Sequence, residues 1–222
     1  MRSPFTPLPL ALFIGLLAGL LLIVQLQLIS IAFERLGLSP QSALLLLISS
    51  LLGSTINLPL FRVRSQRPAS ELISPPWQRI WRLPRQPFTG HTTIALNVGG
   101  GLIPIGFSAY LLGHTPLSVG EAVLATALVS AISYAASRPV PGLGVAMPLF
   151  VAPLSAALTA MLVNPEHSAP LAYISGSLGV LIGADLLRLK DIQHLGAPMA
   201  AIGGAGTFDG IFITGVVAVL LA

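Results

Sequence analysis

Two carboxylates lie inside strongly apolar stretches of this chain. Asp185 sits in Gly183-Ala184-Asp185-Leu186-Leu187-Arg188, and Asp209 in Gly203-Gly204-Ala205-Gly206-Thr207-Phe208-Asp209-Gly210-Ile211-Phe212. An ionised carboxylate at the centre of a lipid-embedded helix costs ~2.5–3.5 kcal/mol on insertion scales, so it calls for a partner or a task. Two tasks suit a pair of acids. One is binding a proton or cation. The other is sharing a single proton around a water molecule, as in aspartyl hydrolysis, where one carboxyl must be held protonated. At 1.5 Å per residue Asp185 lies about 5 Å, and Asp209 about 9 Å, from the same end of successive antiparallel segments. Glycines at 176, 179, 183, 206 and 210 allow those segments to approach closely. On ideal helices, however, Asp185 points about 140° and Asp209 about 90° away from their glycine stripes. For the acids to meet, the chain must bend at Gly183 or unwind over Gly203–Gly206. Otherwise Asp185 pairs with Arg188 at i+3 and Asp209 caps an unwound neighbour.

A second candidate stretch contains Asn97, Gly99, Gly100, Gly101 and Pro104. Three glycines and a proline argue against an unbroken helix. Non-helical backbone at membrane depth persists only where it is buried in protein or lines a wet cavity, and there it can present carbonyls or helix ends to an ion. Asp185, Asp209, Asn97, Gly99, Gly100 and Thr207 form the expected ion- or substrate-binding set. The plainer alternative is a glycine patch for tight packing.

The elements that must hold these residues are apolar runs. They lie at about Leu8–Phe33, Ser42–Phe61, Thr92–Leu112, Leu117–Ser137, Gly144–Val163, Ser168–Leu187 and Gly203–Ala222. Each is long enough to cross a ~30 Å hydrocarbon core. With 54% hydrophobic and 8% charged residues, too few charges exist to cover a globule in water, where about a quarter is usual. The expected fold is all-α: one domain over residues 1–222, a polytopic membrane bundle of about seven helices. Its third and fifth spans are broken or kinked, the fifth by Pro139, Pro141, Pro148 and Pro153. If residues 139–153 are re-entrant, six spans remain. No internal repeat is evident.

Six of the eleven basic residues lie between Arg62 and Arg85. With that loop in the cytoplasm, ten basic residues fall inside and Arg35 alone falls outside. The expected placement is the inner membrane, with the N-terminus in the cytoplasm and the C-terminus outside. Within the 62–91 loop, Trp77, Ile80 and Trp81 share a helical face with Arg79 and Arg82 off it, which suits a short interfacial helix on anionic headgroups. Nucleic acid is not the expected partner of this basic cluster, because it lies between two apolar spans. The chain has no cysteine, which excludes thiolate metal sites and a cysteine nucleophile. His91, His114, His167 and His194 fall at span ends or in loops without metal-ligand spacing. No phosphate-binding loop or serine elbow is present, so neither a metal nor a cofactor is expected.

The motifs Gly183-Ala184-Asp185-Leu186-Leu187-Arg188-Leu189 and Ile202-Gly203-Gly204-Ala205-Gly206-Thr207-Phe208-Asp209-Gly210 are joined by Asn97-Val98-Gly99-Gly100 and Pro139-Val140-Pro141-Gly142. Over residues 90–222 this pattern resembles an uncharacterised prokaryotic multi-pass membrane family, domain of unknown function 1614. The resemblance implies a multi-pass protein and no activity. The placing of one Asp on each of two helices also resembles the intramembrane aspartyl proteases. Against that stand Phe208 where a glycine is required, Ala184 where a tyrosine is required, and no Pro-Ala-Leu motif after Asp209. Three functions follow as expectations. The first is a small transporter or ion-coupled carrier using the aspartates. The second is a non-catalytic scaffold or assembly factor acting through the basic loop. The third is a protease in which Asp185 and Asp209 are catalytic.

Overall fold

The computed structural model describes residues 7–65, 90–140, 144–192, 199–204 and 210–222. In chain order it contains α1 (Pro7–Arg35), α2 (Pro40–Gly53), β1 (Asn57–Arg64), β2 (His91–Asn97), a π-helical turn π1 (Val98–Leu102), α3 (Ile103–His114) and α4 (Val119–Ala136). There follow β3 (Arg138–Val140), β4 (Gly144–Ala146), α5 (Val151–Val163), α6 (Ser168–Val180), a second π turn π2 (Leu181–Leu186), α7 (Leu189–Ile192), β5 (Met199–Ile202) and α8 (Gly210–Leu221). The expected loop helix around Trp77, Arg79, Trp81 and Arg82 lies outside the described residues.

The bundle is organised around α6. Every residue from Pro170 to Ser177 is buried, and α3, α4, α5 and α8 pack around it. Small residues make this packing close. A Cβ at Gly176 would stand 3.2 Å from Ala156 Cβ, and one at Gly179 would stand 2.7 Å from Val129 Cβ. At Gly183 it would strike the Ser130 carbonyl. The Tyr173 and Phe107 rings meet in a T-shaped pair, centroids 4.9 Å apart. The outer side of the bundle has the opposite composition. On α4, Val119, Val123, Leu124, Leu128 and Ile132 are exposed while Ala122, Ala125, Val129, Ser130 and Ser133 are buried. Small and hydroxylated residues face inward and large aliphatics face out, the arrangement that packing in lipid favours.

By length and composition, Val119–Ala136 and Ser168–Asp191 suffice to cross a membrane. Gln27–Arg35 with Pro40–Gly53 adds a third if that pair, bent by 109°, is one broken span. The expectation of an all-α bundle with seven spans is corrected in two respects. First, short sheets are present. Second, several of the expected spans divide into shorter elements. The run Ser42–Phe61 becomes α2 and then β1. Ser54 Oγ and Thr55 Oγ1 donate to the carbonyls of Leu51 and Leu52, both at 2.7 Å, and close the helix. Pro59 then sits in an edge strand beside a register shift, a position where the missing N–H costs no ladder bond. The run Thr92–Leu112 breaks as expected, into β2, π1 and α3. Its first part is β-branched (Thr92, Thr93, Ile94) and takes the centre of a β1-β2-β5 sheet. The fifth run keeps only the 13-residue α5 as helix, because its proline-bearing start pairs as β3 and β4.

β1 and β2 are antiparallel, whereas β2 and β5 are parallel, with Leu96 opposite Ile202. Both β2 and β5 run directly into glycines, Gly99–Gly101 and Gly203–Gly204. The two passages thus share an arrangement without sharing a sequence.

Candidate functional site at the glycine crossing

The site is built outward from Asn97, the last residue of the central strand and 1% exposed. Its Oδ1 accepts from the N–H of Gly100 at 2.9 Å, capping π1. Its Nδ2 donates to Ser54 O at 2.7 Å and to Asn57 Oδ1 at 3.0 Å. One amide therefore ties the end of β2 to π1, to the end of α2 and to the start of β1. Ser50 adds a bond from its hydroxyl to Gly99 O at 2.9 Å. Gly99 rests on the α2 backbone so closely that a Cβ would collide with Ser50 O and Ser54 N.

Gly203 lies across this turn. Its φ is +80°, a region that L residues with a Cβ rarely adopt. A Cβ here would stand 2.6 Å from Gly101 N and 2.7 Å from Gly100 C, while one at Gly204 would meet Asn97 Cγ at 3.0 Å. Both conformation and contact therefore require glycine at position 203. Its N–H donates to Asp185 Oδ2 at 2.7 Å.

Asp185 reaches Gly203 because α6 does not end as an ideal α-helix. Over Leu181–Leu186 the helix widens, and the N–H of Leu187 bonds to the carbonyl of Ile182, five residues back. A π turn inserts a residue and rotates whatever follows, and such turns recur at functional sites. Gly183 can therefore face Ser130 while Asp185, half-buried, faces the glycine crossing. The other π turn, Val98–Leu102, carries the matching bond from Ile103 N–H to Val98 O. Both π turns of the described chain thus border this place.

The structure brings Asp185, Asn97 and Gly100 against Gly203–Gly204, while Gly99 packs beside them on the α2 backbone. Thr207 and Asp209 lie outside the described residues. Asp185 does not pair with Arg188. That guanidinium bonds Asp191 Oδ2 at 3.1 Å, Tyr134 O and Ser137 O at 2.8 Å each and Ser137 Oγ at 3.3 Å, and it lies 4.1 Å over the Tyr134 ring. The reason is the π turn, which breaks the i, i+3 alignment between positions 185 and 188.

The bundle interior also holds unpaired polar groups. Among the described residues, the hydroxyls of Ser108, Ser130, Ser133 and Ser177 are buried and have no hydrogen-bond partner, and of these Ser130 packs against Gly183, two residues before Asp185. Water or an ion ordinarily satisfies such groups.

Two features escaped the sequence reading. The first is Glu121, which closes the start of α4. Its carboxylate accepts from the N–H and Oγ of Ser118, both at 2.8 Å, and from Asn164 Nδ2 at 3.0 Å. Ser118-Val119-Gly120-Glu121 is a capping box, a signal present in the sequence. The second is a cleft that gathers His114, His167, Arg35 and Glu166 at the far end of the bundle.

No curated protein and no solved structure matches this chain. A family model described as protein of unknown function (DUF1614) matches residues 51–221, and the chain belongs to that family.

Proposed function

We propose that the chain is an integral membrane carrier for a proton or small monovalent cation, with Asp185 as the group that takes it. One observation carries the reading: a carboxylate in a π turn of the central helix meets the backbone N–H of a glycine where two non-helical segments cross. Broken segments of this kind put carbonyls, helix ends and an acid within reach of one ion. Asn97 and Gly99–Gly100 hold the crossing in shape, and the unbonded hydroxyl of Ser130, which packs against Gly183, offers oxygen to water or ion. Thr207 and Asp209, which follow Gly204 in the chain, complete the binding set. The protein sits in the inner membrane with its basic 62–91 loop on the anionic cytoplasmic headgroups.

Proteoliposomes loaded with a pH-sensitive dye test this under a potassium diffusion potential. The parent chain is expected to admit protons, or sodium in a parallel tracer assay, well above empty liposomes. Asp185→Asn and Asp209→Asn are expected to fall to the empty-liposome rate. Equal flux in parent and Asp185→Asn, or no flux for either ion, ends the proposal. The chain has no cysteine, so single cysteines report orientation cleanly. Pro116→Cys is expected to react with an impermeant maleimide on intact cells, and Arg138→Cys only after permeabilisation.

A further inference from the structure

The cleft at the opposite end encloses about 690 Å3 and is walled by the ends of α1, α3 and α8 and the start of α6. Its wall includes the buried side chains of Leu36 and Leu111. Its rim brings together opposite charges that do not neutralise each other. Arg35 makes a single hydrogen bond among the described residues, from Nη1 to Val219 O at 3.2 Å. The rest of its planar donor fork has no partner there. Glu166 has neither an ion pair nor a side-chain hydrogen bond among the described residues, where the one ion pair is Arg188–Asp191.

His114 is oriented by its own helix. Its Nδ1 lies 2.9 Å from Tyr110 O, and its ring stacks on Tyr110 with centroids 4.0 Å apart. A carbonyl only accepts, so Nδ1 carries a proton, and whenever the ring is neutral Nε2 presents a lone pair. The cleft therefore offers a guanidinium fork suited to an oxyanion. It also offers a carboxylate and an imidazole lone pair suited to an ammonium. Among the described residues no three His, Asp or Glu side chains gather closely enough to hold a metal ion.

From this arrangement we infer that the cleft binds a small zwitterion carrying an ammonium and an oxyanion. Its source is either a free amino-acid-like solute or the headgroup of a phosphoethanolamine lipid. Arg35 takes the oxyanion, and Glu166 with His114 takes the ammonium. A ligand with only one charge leaves the opposite group of the cleft unmatched. The inference stands apart from Asp185, because it concerns binding at the other end and needs no transport.

Calorimetry on the purified full chain tests it, with glycine, glycerophosphoethanolamine, inorganic phosphate and ethanolamine as probes. At least one of the two zwitterions is expected to bind at least tenfold more tightly than phosphate or ethanolamine. Glu166→Gln is expected to weaken the zwitterion at least tenfold and to leave phosphate unchanged. That substitution removes no bond holding the described fold. Arg35→Gln is expected to weaken zwitterion and phosphate alike, with Arg35→Lys as the variant to use if the first fails to fold. Tight binding of glycine alone identifies a free solute. Tight binding of glycerophosphoethanolamine, with native mass spectrometry showing phosphatidylethanolamine retained by the parent and lost by Glu166→Gln, identifies the lipid. Zwitterions that bind no better than their halves, or variants that bind like the parent, overturn the inference.

Discussion

At the end of the bundle holding Gly37, Ser118 and His167, the chain turns by caps made within a few residues. Leu38 N–H bonds back to Phe33 O and Gly37 N–H to Glu34 O, closing α1 with a left-handed glycine. Ser118 and Glu121 close α4 on each other. At the opposite end, little is closed locally. Asn97 joins residues forty and more positions apart, Gly203 fits against Gly100 and Gly101, and Arg188 reaches back to Tyr134 and Ser137. The first end is thus a set of local helix stops joined to one another by single side-chain bonds, such as Asn164 to Glu121 and Arg35 to Val219 O. The second is one interlocked unit in which backbone is packed against backbone. Substitutions at the first end should act singly and mildly, and those at the second should propagate.

The sharpest comparison uses two glycines with nearly equal φ. Gly203→Ala meets both an unfavourable φ and a backbone contact at 2.6 Å, whereas Gly37 has φ +74° and open space around it. Gly203→Ala is expected to cost about 4 kcal/mol or more, and Gly37→Ala about 1–2 kcal/mol, the conformational part alone. Apparent unfolding midpoints in detergent measure both, and equal shifts would remove the case for an interlocked end.

Asn97→Ala comes next, at about 3 kcal/mol, since it leaves the Gly100 N–H and Ser54 carbonyl without their partner in a buried place. Asn97→Asp should be as harmful, because a carboxylate then faces two acceptors. A mild Asn97→Asp would mean that Asn57 and Ser54 are held by something else. Arg188→Ala is expected to lose about 2 kcal/mol, with Arg188→Lys recovering only part because a lysine cannot span several carbonyls at once. At the capped end, Ser118→Ala is expected to cost about 1 kcal/mol. A larger loss there would show that the Asn164 bond to Glu121 depends on the cap.

The sequence is plain where one residue type answers one physical need. The break at Gly99–Gly101 and the need of Asp185 for a partner both follow from residue chemistry at single positions. The sheet is less legible. Leu58–Val63 and Thr92–Leu96 are short apolar runs that suit a strand or a buried helix equally by pattern, and length separates them only once an end is fixed. Asn57 and Pro59 were the available signs of that end. The π turn at Leu181–Leu186 leaves no mark in composition, so a projection on ideal helices could not bring Asp185 to Gly203. The far cleft depends on which helix ends are neighbours. Arg35, His114 and Glu166 are each unremarkable alone, and only their shared end of the bundle connects them.

The parallel pairing of His91–Asn97 with Met199–Ile202 joins stretches about a hundred residues apart. During biosynthesis, the central strand emerges and must wait while α3, α4, α5 and α6 are made before its second neighbour exists. Until then one side of β2 has unmet N–H and C=O groups, a condition poorly tolerated away from water. The docking of Met199–Ile202 also delivers Gly203 to Asp185. Closing the sheet and completing the carboxylate site are therefore the same late event, and a chain released before residue 199 has neither.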